Sequence, residues 1–158
     1  MQTFLPYPNF EKSAKVLDYQ RLGKQRVEAM QIINAIIGKP RKDGKPYTGW
    51  INHPCTVMWR EHVDTLKHYC NVMIKEWIKR GYNNTMEIYT VPKKIIMPEW
   101  LNYSEYHSSH RANLMRKDSQ YYGNYGWTDN PEDPYVWRDA DNQWYKQYVG
   151  TKTREYIK

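Results

Sequence analysis

A helical stripe of large apolar residues constrains the fold of this chain most strongly. Its members recur at spacings of four, three, four, three and four residues, as on one face of an α-helix: Trp59, Val63, Leu66, Cys70, Met73 and Trp77. Asn52 is the expected N-cap, Pro54 lies in the first turn, and Gly81 follows the last turn. The pattern predicts a helix that begins after Asn52, ends before Gly81 and buries this stripe in a core.

Another helical pattern precedes it, over residues 10–37, and stops at Gly38. Two prolines within residues 1–9 hold the preceding chain extended. Gly23 interrupts this helix and costs about 1 kcal/mol relative to alanine, so we expect a packing or contact role for it. The apolar positions fall largely on one side: Leu22, Ala29, Met30, Ile33, Ile36 and Ile37.

A third helix is predicted from about Ser104 to Lys117. Residues 87–92 give the only faint strand signal, and the tail from Asp118 is expected to be irregular, with one short helix near residues 142–148. We therefore expect an all-α fold. It is one compact domain over residues 1–158, with a long central first helix, about three main helices and an irregular, aromatic-rich C-terminal tail.

The charge of the chain is uneven. Residues 1–117 hold 19 Lys/Arg and 10 Asp/Glu, a net of +9, whereas residues 118–158 hold 5 and 7, a net of −2. A basic surface of this kind favours a polyanionic partner, with nucleic acid ahead of membrane. The alternative is that the charge only keeps the protein soluble.

Targeting and cysteine signals point to an ordinary intracellular protein. No stretch approaches the ~20 apolar residues of a membrane span, and the N-terminus lacks the features of a signal peptide. Cys55 and Cys70 are 15 residues apart and form no CxxC or CxxH pair, so neither a disulfide framework nor a zinc site is expected. We expect a cytoplasmic protein, near the core of which both cysteines lie.

The first helix has a second, charged face. Arg21, Lys24 and Glu28 stack on it at spacings of three and four residues, with Gln20 and Gln31 close by. A single acid among cations and amides suits a catalytic carboxylate held between phosphate-binding groups. The alternative is a solvated helix face with two ion pairs of about 0.2–0.5 kcal/mol each.

The third helix carries His107, His110 and Arg111 on one face. Such a set could grip a phosphate, position a general acid or supply two of three metal ligands. Without a nearby Asp, Glu or Cys it is weak evidence for a metal, and a structural role is as good an interpretation. His53 precedes Pro54 and belongs either to a helix cap or to the same site.

Several motifs together resemble the pyrimidine dimer DNA glycosylases of the phage endonuclease V type. They are LGKQRVEA at 22–29, GWINHP at 49–54, EWIKRGY at 76–82, and HSSHRANL at 107–114 followed by RKD at 116–118. WYKQYVG at 144–150 resembles the aromatic tail that lies near the dimer in the phage enzyme. The resemblance implies an all-α enzyme without metal or other cofactor. It cleaves the N-glycosidic bond through an imine with its N-terminal α-amine, and then cuts the strand by β-elimination.

The site residues follow from this resemblance and from the charged face. Gln2 is too large for methionine trimming, so Met1 is expected to stay and supply the amine, with Lys24 as the alternative nucleophile. Arg21 occupies the place of the family's glutamate, and the carboxylate role passes by geometry to Glu28. The expected DNA-binding residues are Arg21, Arg26, Lys42, His53, His107, His110, Arg111, Trp144 and Tyr145.

Damaged double-stranded DNA is the expected partner, bound by a monomer. Three alternatives remain open. The chain could be a non-catalytic nucleic-acid-binding module, a metal-dependent nuclease using His53, His107 and His110, or a different base-directed enzyme, either one that acts on another modified base or one that modifies bases of unusual viral DNA. Abundant Tyr, Asn and Lys residues are typical of an AT-rich genome and are compatible with a viral source.

Overall fold

The computed structural model describes residues 2–158, and Met1 lies outside this description. The chain is predominantly helical, with two short 3₁₀ turns at Glu99–Asn102 and Gly123–Tyr125. Its helices are α1 (Phe10–Val16), α2 (Tyr19–Ile37), α3 (Thr48–Ile51), α4 (Pro54–Trp59), α5 (Val63–Lys79), α6 (Ser104–Lys117) and α7 (Ser119–Tyr122). Its strands are β1 (Tyr135–Arg138), β2 (Trp144–Gln147) and β3 (Glu155–Tyr156).

The predicted long first helix is broken in two. Leu17 is extended, and the Asp18 carboxylate accepts the N–H of Arg21 as the N-cap of α2. The hydroxyl of Tyr122, 104 residues away, donates to the same carboxylate. Because these hydrogen bonds fix the Asp18 side chain, Asp18 is favoured as the N-cap of α2 over a place in the interior of one long helix, and α1 ends before it.

The helix predicted between Asn52 and Gly81 is also divided, into α4 and α5. His53, rather than Asn52, caps α4, because its Nδ1 accepts the N–H of Cys55 at 3.1 Å. Pro54 occupies the first turn, as predicted. Gly81 follows the last turn of α5 with a φ of 91°, a backbone conformation that suits glycine and ends the helix there.

The C-terminal tail is not irregular, and this corrects the all-α prediction. β1, β2 and β3 form a three-stranded antiparallel sheet in that order, with Trp137 opposite Tyr145 and Tyr145 opposite Tyr156. The segment near residues 142–148 is strand rather than helix, since it pairs with β1 and buries Tyr145. Residues 87–92 form no strand. The Asn71 side chain instead donates to the carbonyl of Tyr89 and accepts its N–H.

α2 packs on α5 in the middle of the molecule. A Cβ placed on Gly23 would lie 2.9 Å from Cζ3 of Trp77, so only glycine allows this approach, as its predicted packing role requires. One apolar core extends from Phe4 to Tyr145 and includes both cysteines, which are free thiols. Among the helices of residues 2–158, none has the length and apolar character that crossing a bilayer requires.

Candidate active site

The N-terminal segment, residues 2–6, is buried and forms no helix or strand. The buried amide of Gln25, on α2, holds it from one side. Its Oε1 accepts the N–H of Phe4 at 2.9 Å, and its Nε2 donates to the carbonyl of Gln2 at 2.8 Å. The Tyr69 hydroxyl, on α5, lies 2.7 Å from the same Oε1 and 2.8 Å from the carbonyl oxygen of Phe4. Backbone groups without regular secondary structure are thus satisfied by side chains.

α6 holds the same segment from the other side. His110 Nδ1 accepts the N–H of Leu5 at 2.7 Å, and Arg111 Nη1 donates to the carbonyl of Pro6 at 2.7 Å. Both ring nitrogens of His107 lie 2.7 Å from carbonyl oxygens, those of Leu5 and Leu101. Burial lowers the pKa of both histidines, although the two carbonyls favour the protonated ring of His107.

These contacts show that His107, His110 and Arg111 of α6 hold the N-terminal segment in place. His107 and His110 are buried, and Arg111 also forms an ion pair of 2.8 Å with Asp129. None of the three lines the cleft described next. Their expected DNA contact therefore stays a prediction, whereas their hold on residues 5 and 6 is observed.

A cleft of about 650 Å³ opens beside the N-terminal segment and is called the basic cleft below. α2 supplies Arg21, Lys24 and Glu28, which sequence analysis placed on one helix face. The start of α4 and the end of α6 complete one wall, and the sheet with the loop between β2 and β3 forms the other. The residues around it are Gln2, Phe4, Arg21, Lys24, Gln25, Glu28, His53, Pro54, Lys117, Tyr135, Trp137, Gln147, Tyr148, Val149, Gly150, Thr151, Lys152 and Arg154.

Glu28 is the only carboxylate among the described residues around the basic cleft. Its Oε2 accepts the backbone N–H of Gln2 at 3.2 Å and contacts Nε2 of Gln25 at 3.4 Å. These donors fix the carboxylate at the point where the N-terminal segment begins. Five cations share the cleft with it: Arg21, Lys24, Lys117, Lys152 and Arg154.

Two of these cations, Arg21 and Lys117, also interact with other charged side chains. Arg21 Nη1 donates to Asp18 Oδ1 at 3.1 Å. Burial raises the pKa of Asp18, but hydrogen bonds from Tyr122 and Arg21 outweigh it and hold that pKa below its usual value. Partial burial, together with the charges of Arg21, Arg116 and Lys24, lowers the pKa of Lys117. Lys117 is thus an amine that loses its proton more easily than an ordinary lysine.

An aromatic wall faces the charged helix across the basic cleft. Tyr135 and Trp137 stack with ring centroids 5.6 Å apart and planes at 27°. His53 meets Trp137 edge-on at 5.9 Å. Burial lowers the pKa of His53 to about 4, so its ring is neutral at pH 7, with the proton on Nε2 because Nδ1 accepts the N–H of Cys55.

Besides His107, His110 and Arg111, four more of the expected DNA-binding residues lie outside the basic cleft. Arg26 is on the far side of α2, with its guanidinium 4.2 Å from the Trp77 ring centroid and Nη1 bound to Asn84. Lys42 is exposed in the loop between α2 and α3, beside a separate cavity. Trp144 stacks on Tyr103 at 4.2 Å, and Tyr145 is buried. The basic cleft brings together only Arg21, Lys24, Glu28 and His53 of the predicted site.

Sequence reasoning missed Gln25 and the wall contributed by the end of α6 and the tail. Gln25 is a buried amide on the apolar side of α2, and its position one turn before Glu28 was the available signal. The residues of that wall reach the cleft through contacts between distant parts of the sequence, which no local pattern predicts. They include Lys117, Tyr135, Trp137 and Arg154. Within residues 2–158, no group of three or more His, Cys, Asp or Glu side chains is placed to hold a metal ion.

A family model described as pyrimidine dimer DNA glycosylase matches residues 1–90. The chain belongs to this family. The match includes α1 to α5, and with them Gln25, Glu28 and the caps of α2 and α4, whereas α6 and the sheet lie beyond it. No match was found among curated proteins or among solved structures. Membership of this DNA glycosylase family supports a role in DNA repair and makes DNA the substrate.

Proposed function

We propose that this glycosylase removes a damaged base of the pyrimidine-dimer type and cuts the strand by an associated AP lyase activity, without a metal ion. The observation that carries the proposal is the hydrogen bond between Glu28 and the backbone N–H of Gln2. It fixes the one described carboxylate of the basic cleft beside the start of the chain. Met1, which precedes Gln2 and lies outside the described residues, carries the α-amine that we propose as the nucleophile.

The chemistry proceeds from a neutral amine. An α-amine has a reference pKa of about 7.7–8.0 and needs little perturbation to be a nucleophile near neutral pH. Its nitrogen attacks C1′, and the base departs with the electrons of the glycosidic bond and takes up a proton. Glu28 accepts a proton from the attached amine and passes it to O4′ as the sugar ring opens, which leaves a protonated imine at C1′.

Strand cleavage uses the same carboxylate. Glu28 removes a proton from C2′, and the 3′ phosphate leaves with the electrons of its C–O bond. Water then hydrolyses the imine and frees the amine. The surrounding cations, among them Arg21 and Lys152, hold flanking phosphates, and the negative carboxylate stabilises positive charge that develops on the sugar.

The aromatic wall supports extrusion of a nucleotide from the duplex. An enzyme that acts at C1′ must expose the sugar, at a cost of a few kcal/mol that a damaged base reduces. Tyr135 presents a partly exposed aromatic ring to the basic cleft, on which a displaced base can stack, and the buried ring of Trp137 packs against it. The volume of about 650 Å³ is large enough for a nucleotide.

Borohydride trapping tests this proposal. We expect covalent complexes with dimer-containing and abasic duplexes, none with undamaged duplex, and no effect of EDTA. Glu28→Gln is expected to keep DNA binding and lose at least about 10²-fold in turnover. The matched control, Glu87→Gln, removes an exposed carboxylate away from the cleft and is expected to change neither. Full turnover of Glu28→Gln on every damaged substrate would refute the role of this carboxylate.

The nucleophile is decided by three separate changes: an extra N-terminal residue, Lys24→Ala and Lys117→Ala. We expect trapping to be lost only with the extension, because Glu28 is bound to the segment next to the α-amine. Loss only in one lysine variant would transfer the role to that lysine. Trapping that survives all three changes would exclude every amine named here, and absence of trapping in the unaltered protein would favour a non-catalytic DNA-binding module.

A further inference from the structure

A smaller cavity of about 190 Å³ adjoins the basic cleft and shares Pro54 and Arg154 with it. Three arginines from distant parts of the sequence line it: Arg60 at the end of α4, Arg138 on β1 and Arg154 beside β3. This set is called the arginine pocket below. Two of the three belong to the C-terminal tail, the region whose net charge is negative, so sequence analysis placed no basic surface there.

Each guanidinium is held in place by a contact with the protein. Arg60 Nη2 donates to the carbonyl of Ile51 at 2.8 Å, and Arg138 Nη2 donates to Glu99 at 2.6 Å. The guanidinium of Arg154 lies 4.5 Å from the ring centroid of Tyr145. A guanidinium carries five N–H donors, so such contacts orient it and leave donors for an anion. Nε of Arg138 is buried and has no hydrogen-bond partner within residues 2–158.

One carboxylate also lines the pocket, and its charge is partly compensated. The oxygens of Asp139 accept the N–H groups of Asp141 and Gln143 and the hydroxyl of Tyr156. They thereby organise the turn between β1 and β2. Three guanidinium groups against two carboxylates, Asp139 and the Glu99 that pairs with Arg138, leave a net charge of +1 around a cavity that is small for a nucleoside but large enough for a phosphate group.

We propose that the arginine pocket binds a backbone phosphate of the DNA strand whose target nucleotide occupies the basic cleft. The proposal rests on the proposed function, because that function places the strand at the neighbouring opening. Its ligand is a phosphodiester, which arginine recognises with paired N–H donors and without regard to base sequence. The strand then passes from the cleft over Arg154 to the pocket.

The experiment uses a duplex with an unreactive abasic analogue, tetrahydrofuran, so that binding is measured without chemistry. Arg60 and Arg154 are exposed, and the double variant Arg60→Gln/Arg154→Gln is expected to fold normally. The slope of log K against log salt concentration is expected to become less steep by about 0.9, because the pocket neutralises one phosphate. The matched control, Lys93→Gln/Lys94→Gln, removes two exposed charges that line neither cavity and is expected to keep the wild-type slope.

A second arm locates the phosphate. Neutral methylphosphonate linkages replace single phosphates on either side of the analogue. At one position we expect about a tenfold loss of affinity for the wild type and less than a twofold further loss for the double variant, because the two changes remove the same contact. An unchanged slope, an equal change in the lysine control, or losses that simply add at every position would overturn the proposal.

These outcomes are independent of the proposed catalysis. Trapping that fails while the slope and the methylphosphonate coupling behave as expected would remove the lyase mechanism and leave the phosphate pocket. Trapping that succeeds while the methylphosphonate coupling is absent would remove the phosphate pocket and leave the lyase mechanism.

Discussion

Replacing Gln25 with glutamate tests whether the N-terminal segment is held in place for function. The new side chain has nearly the same shape, and one oxygen still accepts the N–H of Phe4. The other oxygen replaces the donor Nε2, which now lies 2.8 Å from the carbonyl of Gln2 and 3.4 Å from Glu28. A favourable donor contact thereby becomes a repulsion between two oxygens and between two carboxylates.

The magnitude follows from these contacts. Losing one hydrogen bond costs about 0.5–1.5 kcal/mol, and leaving a buried carbonyl without a donor costs about 1–3 kcal/mol. We expect a total loss of stability of about 2–4 kcal/mol at pH 7, which lowers the Tm of a chain of this length by roughly 4–16 °C. The pKa of the introduced carboxyl should be raised by burial and by Glu28, so relative to wild type the loss should shrink as the pH falls towards 5, when protonation restores a donor.

Activity supplies the decisive readout. At a temperature where the variant is folded, we expect single-turnover trapping on an abasic duplex to slow by about tenfold or more, since small misplacements of a reacting group have large effects. Gln20→Glu, an exposed change on the same helix, is the control. A Tm equal to wild type would refute the hydrogen-bond assignment. A lower Tm with unchanged trapping would show that Gln25 stabilises the fold without positioning the reactive amine.

Two further predictions concern stability. Gly23→Ala should destabilise the protein by about 1–2 kcal/mol, measured by urea unfolding. The reason is that overpacking against the ring of Trp77 costs more than the gain of about 1 kcal/mol in helix propensity. A variant as stable as the wild type, or more stable, would contradict this packing. Burial lowers the pKa of His53 to about 4, so the unfolded chain takes up the proton first and stability falls as the pH drops from about 6.5 to 4. His53→Asn keeps a capping acceptor that does not titrate, so between pH 7 and 5 this variant should lose less stability than the wild type. The difference should be up to about 2 kcal/mol, reduced by solvent screening in the cleft. An equal loss in the two proteins would contradict the lowered pKa of His53.

The helices were predictable where their ends depend on local chemistry. α6 has the predicted bounds, and Gly38 and Gly81 end α2 and α5 with positive φ angles. The break before α2 was not predictable, because Asp18 is fixed by Tyr122, which lies 104 residues away. Helical periodicity continues through residues 10–37, and only the tertiary contact selects the cap.

The sheet was missed for a different reason. Its strands have four, four and two residues, too few for an alternation of apolar and polar side chains to stand out. The aromatic residues that sequence analysis read as an irregular tail are its buried side, including Trp137 and Tyr145. Half of the basic cleft depends on this sheet, so the charged face of α2 was predictable and the wall opposite was not.

The polar face of α6 shows how one motif can fit two functions. Two histidines and an arginine on a helix are equally suited to an external phosphate and to backbone groups inside a protein. Residues 2–6 form no helix or strand, so their N–H and C=O groups require side-chain partners once buried. His107, His110 and Arg111 meet that requirement from α6, as Gln25 and Glu28 do from α2.

An apolar helix would fill the same space with less risk of unsatisfied polar groups. The polar contacts instead fix the backbone of the N-terminal segment from two sides and leave its first described residue against the carboxylate of the basic cleft. A core does not require this arrangement, whereas the reaction proposed for the terminus does. An N-terminal extension is therefore the most discriminating test of that proposal, because the contacts that hold residues 2–6 are all made by Gln2 and the residues after it.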